Sequence, residues 1–317
     1  MKDVITLGEA IIAFEPWTLG PMEHAHTFER KVGGAELNFA IGCSRLGLQA
    51  GWISHLGNDP FGLMIRNFIR GEGVDVSQVK FIDDYNTSIY FKEMFDSGDV
   101  HAYYYRDRSP VSVMKPTDLN ESYFKRAKVL HLTGIFPAIN PEKNMKIVHH
   151  AIKLAKKHDV KVSFDPNIRL KMWSKEEARR IIAEILPDVD ILLASDDELE
   201  IILESKNPEQ VFKKAEQLGI STVAMKRAEN STIGYDKGET IEVNTFSVEN
   251  VVDTVGAGDG FDAGFIYGYL KGWQMEKVIT FANMVGSMVV GVKGDNEGLP
   301  YLEDVLARID NRDVIER

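Results

Sequence analysis

Val129-Leu-His-Leu-Thr-Gly134 and Lys161-Val-Ser-Phe-Asp-Pro-Asn167 are short apolar runs ending in polar, turn-forming residues, with a helical pattern over 142–158 between them. The same rhythm continues through apolar runs at 191–194 and 222–225, joined by helical patterns at 175–186, 197–203 and 208–218. Strands alternating with helices imply a mostly parallel sheet covered by helices on both faces, an α/β fold. Toward the N-terminus, 4–8 and 50–55 are further strands, followed by helices at 38–46 and 60–72, the latter opening on a proline, a favoured first-turn residue. Between these halves the rhythm changes. Residues 88–94 and 100–106 are β-rich and separated by the turn signal Asp96-Ser-Gly-Asp99. With 11–14 and 27–31 they cannot join a parallel sheet through such short links. They predict a small antiparallel β lid, discontinuous over 11–33 and 84–110, on a single α/β domain spanning 1–317.

Composition narrows the function classes. With 44% hydrophobic and 27% charged residues, the 317-residue chain reads as a soluble globular protein. A formal net charge of −11 argues against a partner among nucleic acids or anionic membranes, and it requires local cations to hold any anionic ligand. Cys43 is the single cysteine, so no internal disulfide forms, and Met1-Lys-Asp-Val lacks the apolar core of a signal peptide. The expectation is a cytoplasmic protein. No Cys/His group has structural-zinc spacing.

The stretch Asp253-Thr-Val-Gly-Ala-Gly-Asp-Gly-Phe-Asp-Ala-Gly-Phe265 puts three glycines and a carboxylate at the mouth of a helix. Gly256, Gly258 and Gly260 leave no side chain in the way of a close-approaching ligand. Small and aromatic residues follow, which predicts a buried helix. Its first turn offers unpaired N–H groups and the positive end of the dipole to an anion such as phosphate. Asp259 within that turn would repel the phosphate, but makes sense as the acceptor of a proton from a hydroxyl that attacks it. That is a kinase arrangement, although a glycine-rich turn capping an ordinary helix would leave the same pattern. No Lys-Ser/Thr follows the glycines as a Walker loop requires, and Phe261 stands where the last glycine of a dinucleotide fingerprint would fall.

Other polar residues fall beyond the carboxyl ends of the strands, where open α/β sheets bind ligands: Gly134, then Asp165-Pro-Asn167 with Arg169, Ser195 with Glu198, and Lys226-Arg227. Each alone suits an ordinary loop. Together they favour one convergent site.

With Val32-Gly-Gly-Ala-Glu-Leu-Asn38 and Gly57-Asn-Asp-Pro-Phe-Gly62, the Asp253–Asp259 motif resembles the two signature regions of the ribokinase-like (PfkB) carbohydrate kinases, and the resemblance runs over residues 4–304. It implies phosphoryl transfer from ATP with Mg²⁺, with Asp259 as catalytic base and Gly256, Ala257 and Gly258 as the anion cradle. Ser195-Asp-Asp-Glu198 resembles the family's Asn-x-x-Glu element, whose glutamate helps hold the metal through water; Ser195 stands where many members have asparagine. A helix cap with an acidic first turn is the plain alternative. Lys226 and Arg227 match the nucleotide-side segment, where Ala228 replaces the usual glycine. Asn283 and Gly294-Asp-Asn-Glu-Gly298 match regions bordering the adenine and the phosphates. Some relatives hold a monovalent cation such as K⁺ near the position of Asp253, and relatives often form dimers or larger homo-oligomers; open lid edges commonly pair between subunits.

Substrate choice must come from the lid and the first strands. Gly33, Gly34 and Asn38 precede or open a helix where a sugar hydroxyl could meet backbone N–H groups and an amide. In His101-Ala-Tyr-Tyr-Tyr-Arg-Asp-Arg108, strand alternation puts Tyr104 and Arg106 on one face, and Tyr90 on the neighbouring strand can join them. A neutral sugar needs no buried guanidinium, whereas a sugar acid is well held by one through two parallel charge-assisted bonds. Arg106 and Arg169 are the candidates; surface arginines at a lid edge are the bland alternative. Tyr-Tyr-Arg, Asp-Pro-Asn-x-Arg and Ser-Asp-Asp-Glu together resemble the 2-keto-3-deoxygluconate kinases, in which the positions matching Gly34, Tyr90, Tyr104, Arg106, Arg169 and Asp259 contact the sugar acid. The expectation is ATP-dependent phosphorylation of that acid. A fructokinase or other neutral-sugar kinase, and a non-catalytic sugar or nucleotide sensor, are the other readings. The retained Gly-Ala-Gly-Asp stands against a sensor, which needs no base.

Overall fold

The computed structural model describes residues 1–95, 100–227 and 230–310, so the turn expected at Asp96–Asp99 and the Ala228 position lie outside the described residues. In chain order the strands begin with β1 (Val4–Leu7), β2 (Ile11–Pro16), β3 (Phe28–Gly33), β4 (Ala50–Gly57) and β5 (Asp75–Ile82). Next come β6 (Ile89–Met94), β7 (Val100–Tyr105), β8 (Val129–Thr133) and β9 (Lys161–Asp165). The last four are β10 (Ile191–Ser195), β11 (Thr222–Arg227), β12 (Ser231–Asp236) and β13 (Glu239–Asn244). Nine of them form one sheet in the order β13-β12-β11-β10-β9-β8-β1-β4-β5, parallel from β11 to β5 and antiparallel only across β11-β12-β13.

The parallel strands inside the sheet are buried along nearly their whole length because helices cover both faces. Side-chain alternation splits each strand between two cores. Ile5 and Leu7 of β1, with Leu192 and Ala194 of β10, belong to one core, while Val4, Ile191 and Leu193 belong to the other. The helices Pro141–Lys157 and Lys175–Ile182 cover the first face. Helices Ala35–Arg45, Ala257–Leu270 and Met275–Val289 cover the second. The helix expected over 175–186 stops at Ile182, and a 3₁₀ turn, Leu186–Asp188, follows around Pro187.

Three sheet strands escape a search for short apolar runs. β5 is an edge strand that is only partly buried, and β12 and β13 form a hairpin whose outer strand is mostly exposed. Lys237 and Gly238, both at positive φ (48° and 99°), make the tight turn between them.

The remaining strands form a four-stranded sheet in the order β3-β2-β6-β7, standing over the carboxyl ends of the main sheet. Its outer pairings, β2-β3 and β6-β7, are antiparallel as expected, and the central β2-β6 pairing is parallel. Asp59 of the Gly57–Gly62 motif secures one root of this lid. It caps the helix Pro60–Gly71 by accepting the Gly62 N–H, and it also accepts the Thr87 N–H and hydroxyl just before β6. Asp59→Ala is expected to cost about 1–2 kcal/mol, the usual value of a lost cap. It should appear as a lower urea midpoint with an unchanged denaturant slope, and an unchanged midpoint would refute the assignment.

Candidate active site

A cleft of about 1460 Å³ opens between the carboxyl ends of the strands and the underside of the lid. Of the residues expected to meet a sugar, Gly34, Asn38, Tyr90, Tyr104, Arg106 and Arg169 line it. Ser195, Glu198, Lys226, Gly256 and Gly258, expected to serve nucleotide, metal or phosphate, line it too, and so does Asp259. The topology explains the convergence, because β9, β10 and β11 each deliver a loop to the same edge of the sheet.

Gly256 is the N-cap of the helix Ala257–Leu270 at φ 79°, and a Cβ there would collide with the carbonyl of Asp295. The first bond within this helix runs from the Gly260 N–H to the Gly256 carbonyl. Of the preceding first-turn N–H groups, that of Ala257 bonds the Thr254 carbonyl at 3.4 Å, and those of Gly258 and Asp259 have no acceptor one turn back in the helix. Asp259 is 8% exposed and accepts a hydrogen bond from Asn38 Nδ2 at 2.8 Å. Burial, with Asp165 and Asp295 adding to it, pushes its pKa up to about 7, against the Asn38 bond and the Arg169 charge.

On the lid, Tyr104 stacks on Tyr90 with ring centroids 5.2 Å apart, and the Arg106 guanidinium lies 5.6 Å from the Tyr104 ring. Arg106 pairs with Glu9, which also lines the cleft. Asn167, at φ 40°, bends the chain after β9, and its backbone and side-chain N–H groups both bond Asp165. That bend carries Arg169 to the mouth of the cleft.

Glu198 is occupied as a cap. Its Oε1 accepts the Ile168 N–H at 2.9 Å, and its Oε2 accepts the Ser195 N–H and hydroxyl at 2.9 and 2.8 Å. Lys226 Nζ lies 3.5 Å from Asp262 Oδ1. Burial works against the lysine's charge, but Asp262, Asp165 and Glu198 outweigh it and hold Lys226 protonated beyond the usual lysine range.

Several expected residues do not line the cleft; Gly134, for one, packs where a Cβ would collide with the Pro166 carbonyl. Gly33 packs against the Asp295 carboxylate, where a Cβ would collide with Oδ2. Ala257 lies in the cradle's turn between two lining glycines. Arg227 reaches Glu242 on β13 at 3.0 Å. Asn283 is buried, accepting from Thr232 Oγ1 at 2.8 Å and donating to the Asn244 carbonyl, so its amide ties the hairpin to its helix.

Sequence reasoning passed over Glu9 and Lys92, and it held Asp295 only as part of the stretch 294–298 bordering the nucleotide; all three line the cleft. Asp295 is 6% exposed, its Oδ1 is buried without a hydrogen-bond partner among the described residues, and burial raises its pKa to about 6. The signal was present in Gly294-Asp-Asn-Glu-Gly298, since a carboxylate between two glycines beside a ligand loop can accept a hydroxyl.

Comparison with known proteins gives the family and the fold. A model of the pfkB family carbohydrate kinases matches residues 1–302. A 2-dehydro-3-deoxygluconokinase from Bacillus subtilis (strain 168) is 35% identical over 306 residues, 95% of this chain and 93% of that protein. Another 2-dehydro-3-deoxygluconokinase, from Thermoproteus tenax, is 34% identical over 95% of this chain and 92% of its own length. The crystal structure of a 2-dehydro-3-deoxygluconokinase from Thermotoga maritima superposes with a TM-score of 0.88 at 26% identity, covering 98% of this chain and all of that one.

Burying Asp259 has a consequence for stability. Its folded pKa of about 7 lies above the unfolded value, so the folded state binds the extra proton between those values and loses stability as pH rises from about 4 to 7. Asp259→Asn keeps an acceptor for Asn38 without the charge. It should therefore melt above the parent at pH about 8 and converge with it near pH 4 in calorimetric scans; equal melting at both pH values would refute the raised pKa.

Proposed function

This chain belongs to the pfkB family of carbohydrate kinases, and we propose that it transfers the γ-phosphoryl group of ATP to the 6-hydroxyl of 2-keto-3-deoxygluconate. The observation that carries this reading is the placement of Asp259. A buried carboxyl poised near neutrality sits in the first turn of a helix, between the glycine cradle and a lid that carries Arg106.

In this reading Asp259 takes the proton of the sugar hydroxyl as that oxygen attacks the phosphorus. The new bond joins sugar oxygen to phosphorus, and the bond to the ADP oxygen breaks. First-turn N–H groups and the Lys226 ammonium face charge that builds on the transferring group. Tyr90 and Tyr104 provide a sugar platform, and Arg106 and Arg169 hold the carboxylate. The lid closing over the site keeps water from competing for the phosphoryl group.

Among the described residues no cluster of three or more His, Cys, Asp or Glu could cage a metal. With both Glu198 oxygens already accepting hydrogen bonds, this donor set fits Mg²⁺ carried mainly by phosphates and water, with Glu198 at one remove. When bound, the ion would neutralise phosphate charge. The single cysteine fits a cytoplasmic enzyme, and the open edge of β7, with Tyr103 and Tyr105 43% and 59% exposed, suits pairing with a second copy. Among the described residues no helix is long and apolar enough to cross a membrane.

ADP release should be measured with Mg-ATP across 2-keto-3-deoxygluconate, fructose, ribose and gluconate. Turnover confined to the keto-deoxy acid is expected, with kcat/KM falling below pH about 7 as Asp259 protonates. Asp259→Asn should lower kcat by roughly 10²- to 10⁴-fold. A preference for fructose or ribose would overturn the substrate, and retained turnover in the asparagine variant would overturn the base.

A further inference from the structure

Every crossing between the lid and the main sheet passes Glu9. The residue itself lies in the link from β1 to β2. Its Oε1 accepts the Ser88 hydroxyl at 2.7 Å, at the entry to β6, and also accepts the Ser109 hydroxyl, just past the end of β7. In the crossing from β3 to the helix Ala35–Arg45, Gly34 sits so close to the Glu9 carbonyl, at φ 140°, that a Cβ there would collide with it. The other carboxylate oxygen, Oε2, accepts from Nη2 of Arg106. Glu9 is 5% exposed and forms part of the cleft wall.

The two oxygens therefore act on different partners. Oε1 holds the roots of the lid, and Oε2 holds the arginine. A guanidinium has five N–H donors, and Glu9 occupies only part of one edge. Arg106 Nε is buried and has no hydrogen-bond partner among the described residues. A buried donor left in that state costs stability unless something completes it. Arg106 lines the cleft with 20% of its side chain exposed, so a ligand carboxylate there would meet its remaining Nη donors.

We infer that Glu9 is a positioning residue that fixes the Arg106 guanidinium by one edge at the root of the lid, leaving its remaining N–H groups set for the carboxylate of a sugar acid. The inference rests on the reading of Arg106 as the carboxylate ligand. It assigns Glu9 to acid recognition and leaves the proton transfer to Asp259. A buried ion pair is by itself weak evidence of a stabilising role, which is why the test separates recognition from folding.

Glu9→Gln keeps an oxygen for the two serines but turns an NH₂ toward the guanidinium, where donor meets donor. KM for the sugar acid should rise about tenfold, as expected when a hydrogen bond to a charged group is lost, while kcat and KM for ATP move less than about threefold. In an Arg106→Ala background the same change should add less than about twofold, because the partner it positions is gone. Ser109→Ala, which loosens Glu9 without altering its charge, should raise the same KM about threefold with kcat unchanged. If Arg106→Ala leaves KM for the acid unchanged, the reading of Arg106 fails and this inference falls with it. If Arg106→Ala raises that KM and Glu9→Gln acts just as strongly in its background, the arginine reading stands and Glu9 is a lid residue only. Should Glu9→Gln fail to fold, Ser109→Ala carries the test, and an unchanged KM or a loss confined to kcat overturns the inference.

Discussion

A hydrogen bond from Asn38 to Asp259, spanning 221 residues of sequence, joins the two ends of the chain at the candidate active site. Both residues sit in the first turns of helices, Ala35–Arg45 and Ala257–Leu270, that pack against each other on one face of the sheet. Asn296 extends the tie, donating to the Val32 carbonyl at 2.6 Å and to Asn38 Oδ1 at 3.4 Å. The two signature motifs are thus one physical unit. Each is conformationally incomplete without the other, and Asp295 lies wedged between Gly33 and Gly256. A side chain at either glycine would separate the motifs before it ever met a ligand.

Beneath that joint the protein buries an unusual amount of charge. Asp262 is 1% exposed and pairs with the Lys226 ammonium at 3.5 Å. His131, stacked on Phe39 and 3.2 Å from Ser163 Oγ, is held neutral because burial drives its pKa down to about 3. Glu36 is fully buried with its pKa raised to about 8 by burial, against a 2.6 Å bond from Thr133. Such groups cost folding energy, and a core built only for stability would replace them with apolar residues. They lie around Asp259 and Lys226: His131 and Glu36 are held uncharged while still bonding Ser163 and Thr133, and Asp262 balances the Lys226 ammonium.

The alternation of strands and helices was legible because parallel strands buried on both faces are apolar throughout, as in Val129–Thr133 and Ile191–Ser195. β5 and β13 were not, because edge strands mix burial with exposure and lose that signature, and β12, though buried between β11 and β13, reads Ser-Thr-Ile-Gly-Tyr-Asp and offers no apolar run. In the site, residues whose chemistry is local were legible: the glycine cradle, Asp259, and the Tyr-x-Arg alternation of the lid. The bond of Glu198 to Ser195 was legible as a helix cap, but its bond to Ile168 and the occupations of Asn283 and Arg106 were not, since each depends on a partner far away in sequence. A single sequence shows which groups can bond; it does not show which bond is already made.

That distinction bears most on the lid. An arginine beside two tyrosines suggests an open hand for an anion, yet here the guanidinium is charge-balanced by Glu9 before any ligand enters. A lone guanidinium in the half-buried cleft would carry a desolvation penalty whether or not a ligand were bound, and would draw in any anion, phosphate included. Balanced by a carboxylate that is itself fixed by Ser88 and Ser109, it loses indiscriminate attraction and gains direction. An incoming acid must then match the geometry of the remaining N–H groups. The same carboxylate bonds Ser88 and Ser109, so Arg106 and the roots of the lid share one point of support.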